Sequence, residues 1–296
     1  MSNQARYLIF FQYIGSKYSG AVKVPATQTS LKGVQDHIED AIERLKPLHP
    51  VRLYISSRTD SGVHALSNSA HFDFQRKNDK PPFTEDVLVK ALNLKLDREH
   101  ISINQAYRVA ADFSARYRAL SRTYVYRVAL GCQLPLVERN MCWNLHHTEL
   151  DVGAMREAAA MLVGTHDFSS FQAINSDIAS KNPVKTLEVV RINPGRAFVC
   201  EHYHRHIPVW ELTFQSQSFL YKQVRRMTGA LVAVGQGRLT LPKLKEMMEA
   251  RHSLVYPSNM AAPPQGLFLT RVNYKESDLL SSPQRSTHPS TGVSDE

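Results

Sequence analysis

Two stretches of the chain, 7–109 and 122–274, repeat one alternation of hydrophobic periods. That alternation limits the available folds more than any single motif does. Residues 7–13 (YLIFFQY) are aromatic and β-branched enough for a buried strand. From 31 to 46, Val34, Ile38, Ala41, Ile42 and Leu45 recur at i, i+4, i+7, i+8 and i+11, one stripe of an amphipathic helix. Strands at 51–57 (VRLYISS) and 66–74 (LSNSAHFDF), a helix at 84–95 and a strand at 101–109 complete the order β-α-β-β-α-β. The second stretch begins with a strand at 122–130 (RTYVYRVAL). A helix at 150–163 follows, carrying Ala154, Ala158, Met161 and Leu162 on one face, with Gly164 placed as its C-terminal cap. Strands come next at 185–193 and 209–218, the latter alternating Trp210, Leu212 and Phe214 with Glu211, Thr213 and Gln215. A helix at 219–234 turns Val224, Met227, Leu231 and Val234 inward and Lys222, Arg225 and Arg226 outward; a short helix at 242–250 and a strand at 267–274 close the series.

The order predicts an α+β chain of two ferredoxin-like halves, 1–110 and 111–275, with antiparallel or mixed sheets flanking a basic cleft. Such a cleft suits single-stranded or distorted nucleic acid. The segment 276–296, Ser-rich with Pro283 and Pro289, is too polar to offset the entropy of ordering and is expected to be a disordered tail.

Composition narrows the function classes. Lys and Arg number 36 against 27 acids, a net charge of +9, which favours a polyanionic partner. Cys132, Cys142 and Cys200 are odd in number and form no CxxC pair, so neither a disulfide framework nor a four-cysteine zinc site is expected. A reducing compartment follows as the simpler expectation: intracellular rather than secreted, with cytosol, nucleus and mitochondrion all open. No run reaches the roughly 18 apolar residues of a membrane helix.

Three constellations carry candidate chemistry. Arg58 to Ala65 reads RTDSGVHA: Asp60, Ser61 and Gly62 make a competent turn, while Arg58, Asp60 and His64 concentrate polar chemistry of the kind that loops present at sites. In the strand at 122–130, Arg122, Tyr124, Tyr126 and Val128 share one face, with Arg116 and Arg118 upstream. Arginines interleaved with tyrosines suit nucleic acid, but a half-buried strand with solvated arginines gives the same pattern. Arg225 and Arg226 form a basic helix face, with solvation as the plainer reading. The HYHRH run at 202–206 alternates like a ligand set, but the segment reads as an inserted hairpin loop, and no metal is expected. Phosphate-binding loops and a GxSxG elbow are missing.

RTDSGVHALSNSAHFDF closely resembles the catalytic segment of the TruA-type tRNA pseudouridine synthases. FSARYRALSRTYVYRV (113–128), GTHDFSSF (164–171), SFLYKQVRRMTGALVAVGQG (218–237) and APPQGLFL (262–269) resemble the family's other blocks, in order. One departure is that GAVKVPATQTSLKGVQ, from Gly20, stands where the family usually has Trp-Gln. The resemblance implies that Asp60 is the nucleophile, Tyr124 the stacking partner of a flipped uracil and Arg225 the ionic partner of Asp60. It implies that Arg58 helps hold the nucleotide out of its helix. Arg116, Arg118, Arg122, Lys222 and Arg226 are candidates for RNA contact. It further implies a tRNA substrate modified in or near the anticodon stem-loop, a homodimer, and no metal or organic cofactor. A noncatalytic RNA-binding protein that keeps the synthase fold is the alternative.

Overall fold

The computed structural model describes residues 3–24, 31–131, 134–146, 149–174, 182–197 and 207–280. The elements of the first half are β1 (Gln4–Tyr13), α1 (Val34–Glu43), β2 (Tyr54–Ile55), β3 (His64–Gln75), α2 (Glu85–Lys95) and β4 (Ile101–Val109). The second half contains β5 (Ser121–Leu130), β6 (Trp143–Leu145), α3 (Val152–Leu162), β7 (Gly164–Asp167), β8 (Val184–Gly195), β9 (Val209–Ser216), α4 (Gln223–Gly235), α5 (Leu241–Ala250) and β10 (Leu267–Asn273). A last short helix, α6, spans Glu276–Leu279, so the expected tail is helical where it begins; 281–296 and the HYHRH run lie outside the described residues.

Differences from the expected elements have local causes. The strand expected at 51–57 shrinks to Tyr54–Ile55 because α1 takes its backbone donors. Val51 N–H donates to Glu43 Oε1 at 2.7 Å and Leu53 N–H to Glu39 Oε1 at 2.9 Å. The helix expected from 219 starts at Gln223, because Lys222 sits in the left-handed region at φ +57°. β6 and β7, three and four residues long, are too short to show a period.

The ten strands of the described residues belong to one mixed sheet, in the order β4-β1-β3-β10-β5-β9-β8-β7, with β2 on β3 and β6 on β5. The two sets of strands therefore run on into each other rather than facing one another as separate sheets. Each set has the same internal order: β4-β1-β3 with β2 outside β3, and β10-β5-β9-β8. The seam is β10, which pairs parallel to β3 at Phe268–His64 and Leu269–Ala65 and antiparallel to β5.

Strand alternation divides the interior. Tyr7, Ile9, Phe11 and Tyr13 of β1 enter a main core with Val34 and Ile38 of α1 and Leu88 and Leu92 of α2. Leu8 and Phe10 face the other way, onto Phe113 and Ala115. The main core crosses the seam without a break, taking in Tyr124, Tyr126, Leu269, Val224 and Met227. The loop before β3 is thus held against the start of α4 by packing from both halves.

Candidate active site

The loop of residues 58–63 enters β3 beside the seam. Its turn closes with Val63 N–H donating to Asp60 O at 3.2 Å, and Gly62 takes φ +79°, a conformation favouring glycine. Neighbours then fix it from several directions. Ala21 N–H donates to Thr59 O at 3.1 Å, and Ser61 Oγ donates to Tyr18 O at 3.1 Å. Thr59 Oγ1 lies 2.9 Å from the Tyr13 hydroxyl, itself 3.3 Å from Asn68 Nδ2. His64 closes the loop from behind: its Nδ1 accepts Gly15 N–H at 3.0 Å, leaving Nε2–H to donate to Asn140 O at 2.8 Å, and its ring stacks on Phe268. Burial lowers the imidazole's proton affinity, in keeping with that neutral tautomer.

Asp60 meets Arg225 at this point. The guanidinium Nη1 donates to Asp60 Oδ2 at 3.0 Å, across 165 residues of sequence, with the two side chains 15% and 22% exposed. Arg225 does not swing freely, since its Nε donates to Ala262 O at 2.8 Å while Ala262 N–H donates back to Arg225 O at 3.0 Å. One planar group therefore spans a backbone anchor and a carboxylate, the fork geometry that suits arginine. α4 approaches the 256–262 loop very closely at Gly229, where a Cβ would lie 1.8 Å from Met260 O.

Tyr124 lies on β5, 7% exposed, its ring edge-on to Phe219 with centroids 5.2 Å apart. Burial raises its phenol well above the usual range, with the nearby Tyr13 and Asp60 adding to the effect, so the ring is neutral at physiological pH. Tyr126, next on that face, is buried outright and donates to Pro263 O at 2.7 Å.

The remaining candidates separate by exposure. Arg58 is exposed, with no hydrogen bond or ion pair among the described residues. Arg116 is exposed, its guanidinium 5.4 Å from the ring centre of Tyr117, which is itself 79% exposed. Arg118 pairs with Asp112 at 2.9 Å and Asp278 at 3.7 Å. Lys222 Nζ stands 5.0 Å from the Tyr221 ring centre. Two arginines turn inward: Arg226 donates to Ser170 O and Gln172 O and lies over Tyr256, and Arg122 is buried among backbone carbonyls. Sequence reasoning missed the supports behind the loop: Tyr13, Gly15 and Asn140 carry no local signal because they come from distant segments, and Asn68, although on β3 itself, reads as an ordinary polar strand residue. Among the described residues no group of three His, Cys, Asp or Glu could hold a metal ion. None of the described helices is long and apolar enough to cross a membrane.

A mixed α/β sheet that holds an arginine-bound carboxylate beside a buried tyrosine defines a class that the family comparison identifies. The family model described as tRNA pseudouridine synthase matches residues 9–118 and 158–275. The chain belongs to that family and is an isomerase acting on RNA. Asp60 and Arg225 lie inside the matched segments, whereas Tyr124 falls between them. The chain is 51% identical to the tRNA pseudouridine synthase-like 1 of Xenopus laevis over 94% of each chain. It is 48% identical to that of Homo sapiens over 97% of each. It is 36% identical to a tRNA pseudouridine synthase A of Caulobacter sp. (strain K31), over 91% of this chain and 98% of the other.

Proposed function

We propose that the protein isomerises uridine to pseudouridine in tRNA, in or near the anticodon stem-loop, with Asp60 as nucleophile on a base flipped out of its stack. The single observation that supports this most is the contact between Asp60 and Arg225. Arg225 engages Oδ2, and the carboxylate is partly exposed, so an oxygen remains for attack. Attack at ribose C1′ or at uracil C6 both suit a carboxylate. In either route the N1–C1′ bond breaks, the base turns and a C5–C1′ bond forms. The proton lost from C5 is balanced by one gained at N1, so no redox partner or group donor is consumed.

The neighbouring residues fit the other tasks. Extruding a base costs a few kcal/mol of stacking, which an aromatic face such as Tyr124 returns at about 1–3 kcal/mol. Arg58, exposed beside Thr59 of the loop, is read as helping to hold the nucleotide out of its helix. Each set of strands is read as a ferredoxin-like half, 1–110 and 111–275, with the site in the basic groove at their seam. A second copy of the chain would extend the grip along tRNA, and the work takes place inside the cell.

The test is Asp60→Ala, assayed for pseudouridine in tRNA transcripts by single turnover and for RNA affinity by filter binding. Pseudouridine formation should be abolished while Kd stays within a few fold. Retained turnover would remove Asp60 from the role of nucleophile, and a noncatalytic wild type would favour an RNA-binding protein on the synthase fold.

A further inference from the structure

Arg122 carries a buried charge that no carboxylate answers among the described residues. It is 8% exposed, and the groups that influence its ionisation besides burial are Tyr274, Tyr124 and Arg116. Buried arginines ordinarily pair with an acid. Here the guanidinium is met by oxygens alone. Nε donates to Ser57 Oγ at 3.3 Å, Nη1 to Gln217 O at 2.6 Å and to Ala119 O at 3.5 Å, and Nη2 to Arg116 O at 2.9 Å and to Ser56 O at 3.3 Å.

Those oxygens belong to three segments distant in sequence. Ser56 and Ser57 lead directly into Arg58 and Asp60. Arg116 and Ala119 hold the corner that exposes Arg116 and Tyr117. Gln217 precedes Phe219, the ring against which Tyr124 packs, and then the start of α4 with Arg225. All five N–H groups of one planar fork are directed at these acceptors, an arrangement three ammonium hydrogens on one lysine nitrogen cannot copy.

We infer that Arg122 is a positioning residue for the isomerisation: it clamps the three loops that set Asp60, the Arg116–Tyr117 corner and Phe219 in register, and it contacts no phosphate. The inference rests on the reading of Asp60 as nucleophile and adds an organiser for its surroundings.

The test compares Arg122→Lys and Arg122→Gln with wild type on one tRNA transcript, at a temperature where circular dichroism shows each protein folded. Both variants should lose about tenfold or more in single-turnover rate, the scale expected when reacting groups shift by a fraction of an ångström. Kd should stay within a few fold. The slope of log Kd against log salt should be unchanged, whereas Arg116→Gln, an exposed comparator, should lower it by about one. A slope reduced by about one in Arg122→Gln would show direct phosphate contact and overturn the inference. So would a wild-type rate in a folded variant, or full rescue by Arg122→Lys of the rate lost in Arg122→Gln. Should neither variant fold, Ser57→Ala removes one acceptor and keeps the charge. A few-fold slower rate with unchanged Kd then supports the clamp, and an unaltered rate refutes it. Asp60→Ala in the same assay separates the two claims: an inert Asp60→Ala beside a fully active Arg122→Lys discards only the clamp, while an active Asp60→Ala discards the nucleophile.

Discussion

Gly229→Ala sets two physical effects of opposite sign against each other inside the candidate active site. Helix propensity alone makes the change stabilising, since alanine gains about 1 kcal/mol over glycine in a helix interior. Packing opposes it. The new Cβ would lie 1.8 Å from Met260 O, 2.8 Å from Met260 C and 2.9 Å from Tyr256 Oη. A carbon approaches a carbonyl oxygen to about 3.3 Å at closest, so the backbone at 260 must retreat by roughly 1.5 Å from a helix that is buried throughout Met227 to Gly235. Overpacking of this kind costs about 1–3 kcal/mol, and a clash with rigid backbone falls toward the upper end, so after the helix gain the net change should be a loss of up to about 2 kcal/mol. The catalytic consequence is larger. Ala262, two residues beyond Met260, anchors Arg225 through both its carbonyl and its N–H, so a retreating loop draws the guanidinium away from Asp60. A displacement near 1 Å can cost about a hundredfold in rate. The assay is single-turnover pseudouridine formation together with thermal unfolding, with Gly153→Ala as comparator. Gly153 lies in α3, where an added Cβ meets only the Asp151 Oδ1 side-chain atom at 3.1 Å. Gly229→Ala should melt lower by several degrees and react at least tenfold slower, and Gly153→Ala should do neither. A Gly229→Ala protein with raised Tm and an unaltered rate would refute the proposed coupling of helix packing to Arg225.

Arg225→Lys keeps the charge but cannot serve both Asp60 and Ala262, so single-turnover rate should fall by about 10–100-fold with little change in Kd; a rate within threefold of wild type would deny the anchor its role. Tyr124→Ala removes the proposed stacking face, worth about 1–3 kcal/mol or roughly 5–150-fold in rate, and an unchanged single-turnover rate would contradict that role. Acid should destabilise the fold through two histidines that each accept a backbone N–H at Nδ1, His64 from Gly15 and His71 from Ala115. Burial, with the Arg6 charge adding to it, lowers His71 to about 4, and burial lowers His64 as well. Both folded-state values lie below the unfolded one, so this stability is complete above about pH 6.5 and drains away as pH falls toward 4. For His71 the loss should reach about 2 kcal/mol near pH 4.5; urea unfolding across that range should give a shallower pH slope in His71→Asn, and an identical slope would rule the ring out.

Much of this architecture was legible in the chain, and the exceptions share a physical cause. Periodicity located Val34, Ile38 and Ile42 on the buried stripe of α1, and the alternation in β5 correctly put Arg122 and Tyr124 on one face. That the same face points inward at Arg122 could not be read locally, because the carbonyls of Ser56 and Gln217 that help make burial tolerable lie 66 and 95 residues away. Arg226 misleads likewise: a helical arginine reads as solvated until Ser170 and Gln172 are brought beneath it. The joining of the strands into one sheet depends on two residue pairs between β3 and β10, a contact with no periodic trace. The partnership of Asp60 with Arg225 was implied by family resemblance, not by spacing, and the structure supplies the distance.

The position of β10 has a consequence for synthesis on the ribosome. The edge of β3 that receives Phe268 and Leu269 belongs to His64 and Ala65, so some two hundred residues are translated between a strand and its neighbour. At roughly 5–20 residues per second that interval lasts about 10–40 s. Throughout it the nascent amino-terminal segment bears an unpaired strand margin, the kind of surface that recruits stray β-structure and chaperones. A chain stopped upstream of Leu267 lacks β10 and leaves that margin of β3, next to the Asp60 loop, without its neighbour: among the described strands, the last to emerge is the one that completes the loop's surroundings.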